Sequence, residues 1–154
     1  MSPLLRRGRD PQPDSPVAVL LASAGAPFPP AGIAAAVERA GGGPVAVLTI
    51  AQVHGSAFGL PNPGLLPSPR ERQAARDSVA AAIEALARAG VAADGQVAVT
   101  RYAGRTIGRV AALRAAGHVV LVTDDAPRWR RLLEGDTVAA VRRQVGDHLT
   151  VVTS

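Results

Sequence analysis

The chain has 154 residues, a formal net charge of +5, and a composition that is 47% hydrophobic and 19% charged, which suits one globular domain with a single core. All 17 basic residues are Arg, and the chain has neither Cys nor Lys; disulfides, cysteine–zinc sites, haem attachment, thiol catalysis, Schiff-base chemistry and P-loop chemistry are excluded together. Aromatic residues make up only 3%, which argues against nucleic-acid modules built on several exposed rings, while the basic balance still admits an anionic partner.

Residues 1–16 read as a mobile Pro- and Arg-rich tail, because Arg6, Arg7 and Arg9 are followed by Asp10, Gln12, Pro13 and Asp14 before any apolar stretch. That order does not fit a secretory signal, and no run approaches the ~18 apolar residues of a membrane span, so a cytoplasmic location is expected. One domain is then expected over residues 17–154. Its first strand is read at residues 17–21 (VAVLL), and a helix at 31–40 carries Ile33 and Val37 one turn apart. A second strand is read at 45–50 (VAVLTI). Ser68-Pro69-Arg70-Glu71 has the form of a capping box with Pro at the first helical position. The helix it opens runs to about Ala89, with Ala75, Val79, Ile83 and Leu86 on one face and Gly90 beyond its end. Residues 96–100 alternate as a half-exposed strand, 105–116 form a helix closed by Gly117, and 119–122 form a fourth strand. A last helix starts near Asp136 and ends at Gly146, before a closing strand from Leu149 to Val152.

Continuous Val/Ile/Leu runs mark strands covered on both faces, and strand–helix alternation with long crossovers implies parallel pairing. The expected fold is α/β: an open five-stranded parallel sheet with helices on both faces. Ligands in such sheets bind beyond the carboxyl ends of the strands, where strand order reverses. That directs attention to the loops at 22–30, 51–67 and 123–135.

From Pro16 to Ser154 the chain resembles the universal stress protein family. The resemblance rests on element order and on local features. The capped helix ends in Ala89-Gly90-Val91, Gly104 follows the third strand, and Ala116-Gly117-His118 leads into the fourth. The stretch from Arg130 through Leu132, Gly135 and Thr137 to Val138 and Ala139 is similar to the family's Arg-x-Leu-x-x-Gly-Ser-Val-Ala. The resemblance implies a Rossmann-like sheet in order 3-2-1-4-5 and a homodimer, with the edge strand from Leu149 to Val152 as the pairing candidate. ATP-binding members carry an Asp at the end of the first strand. They also carry a Gly-x-x-Gly, a spacer and Gly-Ser/Thr, whose backbone N–H groups and hydroxyl meet the phosphates.

This chain departs from that motif. The first strand ends Leu21-Ala22-Ser23-Ala24-Gly25 without Asp, and the fourth is followed by Thr123-Asp124-Asp125-Ala126-Pro127. Two carboxylates repel a triphosphate, and Pro offers no N–H. Ser23, Gly25, Asp124, Gly135 and Thr137 are what remains of a nucleotide cleft. ATP and AMP are disfavoured as ligands, no metal site and no catalytic residue are assigned, and a regulatory or protective binding protein in stress response is expected. The alternative is a nucleotide-binding protein or Mg²⁺-dependent phosphotransferase or hydrolase using Asp124 and Asp125, since hard cations favour carboxylates. A third reading, weak nucleic-acid binding through Arg, ranks last.

The remaining features have plainer readings. His54-Gly55-Ser56 lacks the elbow and the orienting acid of a nucleophilic site. His118 and His148 each precede a strand without metal-ligand spacing. Ser23-Ala24-Gly25-Ala26 reads as a tight loop before Pro27 rather than an anion nest. The charge-free loop 55–69, with Phe58, Leu60, Leu65 and Leu66, is either a lid or a tucked loop. Trp129 is expected to pack under the stems of Arg128, Arg130 and Arg131. The basic excess is concentrated at Arg101, Arg105, Arg109 and Arg114, a stretch with no acid.

Overall fold

A computed structural model of the chain describes residues 15–52, 66–124 and 137–154. In chain order the elements are β1 (Val19–Ser23), α1 (Pro30–Ala40), β2 (Val45–Gln52), α2 (Pro69–Arg88), β3 (Ala93–Thr100), α3 (Ala103–Leu113), β4 (His118–Thr123), α4 (Thr137–Val145) and β5 (Leu149–Thr153). The strands form one parallel sheet in order β3-β2-β1-β4-β5.

Both faces of the sheet are covered, which is why β1, β2 and β4 read as unbroken apolar runs. Leu20, Ala22, Leu48, Ile50, Val119 and Leu121 face α3 and α4, which contribute Ala103, Ile107, Ala111 and Val141. The alternate residues Val19, Leu21, Val45, Val47, Val120 and Val122 face α1 and α2, which contribute Ala36, Ala40, Val79, Ala82 and Leu86. A fully buried Leu, Ile or Val contributes about 1.5–3 kcal/mol, so these two layers hold the domain together. Among the described residues, no helix is long and apolar enough to cross a membrane.

The capping box forms as its residue types require. The Glu71 N–H donates to Ser68 Oγ at 3.1 Å, and the Ser68 N–H donates to Glu71 Oε2 at 2.6 Å. Element boundaries move where local propensity and pairing disagree. β1 lies two residues further along than its apolar run suggests, reaching Ser23, because it pairs with Thr49 and Val122 at that level. β3 starts at Ala93 and includes Asp94 and Gly95, both poor strand formers. It pairs with β2 over all eight residues, and a side chain at Gly95 would lie 2.3 Å from Val79 Cγ1, so the glycine lets α2 sit on the sheet.

Arg114 does not belong to the exposed basic stretch in which the sequence places it. Its residue is 5% exposed and its guanidinium grips both carboxylate oxygens of Asp94, at 2.9 and 2.8 Å. Its Nε also donates to the Ser15 carbonyl. The contact lies at the end of the sheet where β3 and β1 begin, opposite the carboxyl ends of the strands.

Candidate functional site

In this topology the chain leaves β1 toward β2 on one side and returns through α3 to β4 on the other. The switch point is therefore the carboxyl end of the β1–β4 pair, where an open parallel sheet leaves a crevice. Of the five cleft residues read from the sequence, Ser23, Gly25 and Asp124 converge at this end. Ser23 is level with Val122 on β4, and Asp124 lies just past the end of that strand, exposed. Thr137 opens α4 in the other layer, its carbonyl oxygen 3.1 Å from the position a side chain would take at Gly104. Gly135 and Asp125 lie outside the described residues, as do His54, Phe58, Leu60, Leu65, Trp129 and nearly all of the tail.

The β1 loop is closed on itself. Ser23 is fully buried; its hydroxyl donates to the Ala26 carbonyl and accepts the Gly25 N–H at 3.3 Å. Gly25 has φ +121°, a conformation that only glycine adopts without strain. The Ser23 hydroxyl and the Gly25 N–H are thus engaged inside the turn. The start of α1 offers little more. Pro29 and Pro30 have no N–H, and the Gly32 and Ile33 N–H groups both turn back to the Pro29 carbonyl. The Asp124 carboxylate adds negative charge at the mouth. At this end the Ser23 hydroxyl and the Gly25, Gly32 and Ile33 N–H groups are all engaged within the chain, and the described charge is negative.

One further polar group lies beneath this end. Thr49, level with Ser23 on β2, is 2% exposed and its hydroxyl makes no hydrogen bond among the described residues; an unmet buried hydroxyl costs on the order of 1–3 kcal/mol. Nothing in the sequence singles it out, because a Thr inside VAVLTI reads as one more strand residue. Among the described residues, no three His, Asp or Glu side chains converge as metal ligands.

His118 belongs to the opposite end of the sheet. It is nearly buried and its Nε2 lies 2.7 Å from Thr150 Oγ1 on β5. Burial first, then the nearby Arg39 and His148, lower its pKa below the ordinary 6.5. The unfolded chain therefore takes up the proton before the folded one does. The stability held by neutral His118 is complete above pH 6.5 and is lost as pH falls from there toward the folded value. Thermal melting at pH 7.5 and 5.5, about a unit either side of the ordinary value, is expected to show a larger loss for the wild-type protein than for His118→Gln. Equal losses would remove His118 from the pH response.

No family model matches the chain, and no curated protein matches it in sequence. Its fold is similar to a crystal structure of a protein from the universal stress protein family from Burkholderia pseudomallei, with a TM-score of 0.61, 16% sequence identity, and coverage of 93% of this chain and 98% of that one. The expected architecture is therefore the observed one: the chain has the universal-stress-protein-like fold, an open parallel sheet in order 3-2-1-4-5 with helices on both faces.

Proposed function

We propose that this protein is a regulatory or protective binding module of universal-stress-protein type, cytoplasmic, that works without ATP and without catalysing a reaction. The observation that carries the reading is the Ser23 turn, in which the hydroxyl and the Gly25 N–H are consumed by the loop at the switch point. The exposed Asp124 beyond β4 supports it, since phosphate would meet a carboxylate there. The protein acts as a homodimer joined along β5, an edge strand paired with β4 alone among the described strands, on which Val151 is 38% exposed.

Calorimetric titration with ATP, AMP and cyclic AMP, each with and without Mg²⁺, tests the reading. No saturable heat is expected with any of them. Tight, Mg²⁺-dependent binding that disappears in Asp124→Ala would overturn the reading in favour of a nucleotide site built on Asp124. Sedimentation of the same samples is expected to give a dimer, and a strict monomer would remove the β5 interface.

A further inference from the structure

The arginines are not distributed like the acids. Among the described residues, Glu38 lies on α1, Glu71, Asp77 and Glu84 on α2, Asp94 is held by Arg114, and Asp124 stands at the cleft. On α2 the charges are interleaved: Arg70, Arg72, Arg76 and Arg88 alternate with acids, and Arg88 pairs with Glu84 at 3.8 Å. The α3–α4 layer is different. Arg101, Arg105, Arg109, Arg142 and Arg143 are all exposed there, and the described acid nearest to them in the layer is Asp147, past the end of α4.

Helix geometry gathers three of these into one crest. Ile107 and Ala111 turn α3 toward the sheet, which sends Arg105 and Arg109, one turn apart, straight outward. Val141 fixes α4 in the same way, which sends Arg143 outward beside them. Gly104 and Gly108 bring the two helices together: side chains there would lie 2.5 Å from Ala140 Cβ and 1.9 Å from Gln144 Oε1. At the upper end, Tyr102 is 57% exposed and the Arg105 guanidinium carbon lies 5.4 Å from its ring centroid.

We propose that the outer surface of α3 and α4 binds single-stranded nucleic acid, with phosphates along Arg105, Arg109 and Arg143 and an unpaired base stacked at Tyr102. Guanidinium groups pair bidentately with phosphate, and an exposed aromatic ring beside an arginine is a sequence-tolerant stacking platform. The low aromatic content excludes a multi-ring module but leaves the single ring that one base requires. A membrane surface would call for several large apolar side chains, and on this layer the exposed ones among the described residues are Leu113 and the half-polar Tyr102. The proposal stands whether or not the nucleotide cleft is closed.

Fluorescence anisotropy with labelled single-stranded DNA and RNA, across a salt series, reads it directly. Arg105→Gln/Arg109→Gln/Arg143→Gln is expected to weaken binding at low salt about tenfold or more and to flatten the log–log salt slope by about 2, at ~0.7 per phosphate contact. Arg70→Gln/Arg72→Gln/Arg76→Gln removes the same net charge from α2 and is expected to leave most of the binding intact. Tyr102→Ala is expected to weaken binding about fivefold or more with the slope unchanged. Equal losses in the two triple variants would show a diffuse charge effect and overturn the proposal. So would the absence of oligonucleotide binding at low salt, including the case where anionic phosphatidylserine vesicles are retained in its place.

Discussion

Replacing Asp94 with Asn is expected to lower folding stability by about 3 kcal/mol, near the bottom of the range for breaking a buried ion pair. Arg114 is almost wholly enclosed, and its guanidinium carries five N–H donors. Two of them meet Asp94 and one meets the Ser15 carbonyl. The Arg114 main chain completes the junction: its carbonyl accepts the Val17 N–H at 2.9 Å. One side chain therefore ties the end of α3, the start of β3 and the entry to β1. Losing the carboxylate takes from a desolvated guanidinium the charge that faces two of its donors, which costs more than the pair itself contributes. Asp94 retains 25% of its side-chain exposure, so water recovers part of the loss and the lower figure applies. Arg114→Met removes the cation and keeps the apolar stem, and the double variant Asp94→Asn/Arg114→Met is expected to be more stable than Asp94→Asn alone. Urea unfolding of the three variants checks this. A loss under about 0.5 kcal/mol for Asp94→Asn, the size expected at an ordinary surface position, would mean that the bridge is not structural.

That bridge also marks where sequence reasoning stopped. The strand–helix order, the parallel sheet, its 3-2-1-4-5 order and the Ser68 capping box were all legible, because each rests on periodicity, on residue-specific local chemistry or on a resemblance carried by element order. Arg114 was read as part of a basic face because its partner is 20 residues away in the chain. The partner sits in a strand whose first residues, Asp94 and Gly95, argue against a strand. Only pairing with the full length of β2 draws them in. The cleft divides in the same way. Departure from the phosphate-binding motif was visible in the residues after β4. The residues of Ser23-Ala24-Gly25-Ala26 favour a tight loop over an anion nest, but the bond that closes the loop was not legible, since a nest uses the same residue types. The difference is one hydroxyl bonded to the Ala26 carbonyl. Thr49 was invisible for the converse reason: what distinguishes it is a partner that it lacks.

The two glycines of α3 are expected to respond in opposite directions to the same substitution, although both are buried and one turn apart. The signal was present in the sequence as Gly104-Arg105-Thr106-Ile107-Gly108, a spacing that puts both glycines on one side of a helix. At Gly104 an added methyl lies 2.5 Å from Ala140 Cβ, 3.1 Å from the Thr137 carbonyl oxygen and 3.4 Å from Thr137 Cα. Two of those three atoms are backbone and the third is a Cβ, so none can swing aside and α4 itself has to move. Overpacking of this kind costs about 1–3 kcal/mol, against a helix-propensity gain of at most ~1 kcal/mol for Gly→Ala. At Gly108 the obstruction is the amide end of Gln144, an exposed side chain with rotamers to spare. Once it turns away, Gly108→Ala keeps the propensity gain and is expected to be neutral or stabilising by up to ~1 kcal/mol. Denaturant unfolding separates the two, and equal destabilisation would mean that α4 is free to adjust at both points. The same pair reaches the proposed nucleic-acid surface. Gly104→Ala pushes Arg143 away from Arg105 and Arg109, so it is expected to weaken oligonucleotide binding without touching a single charge. Gly108→Ala leaves the crest in place and the binding with it, which separates the geometry of the arginines from their number.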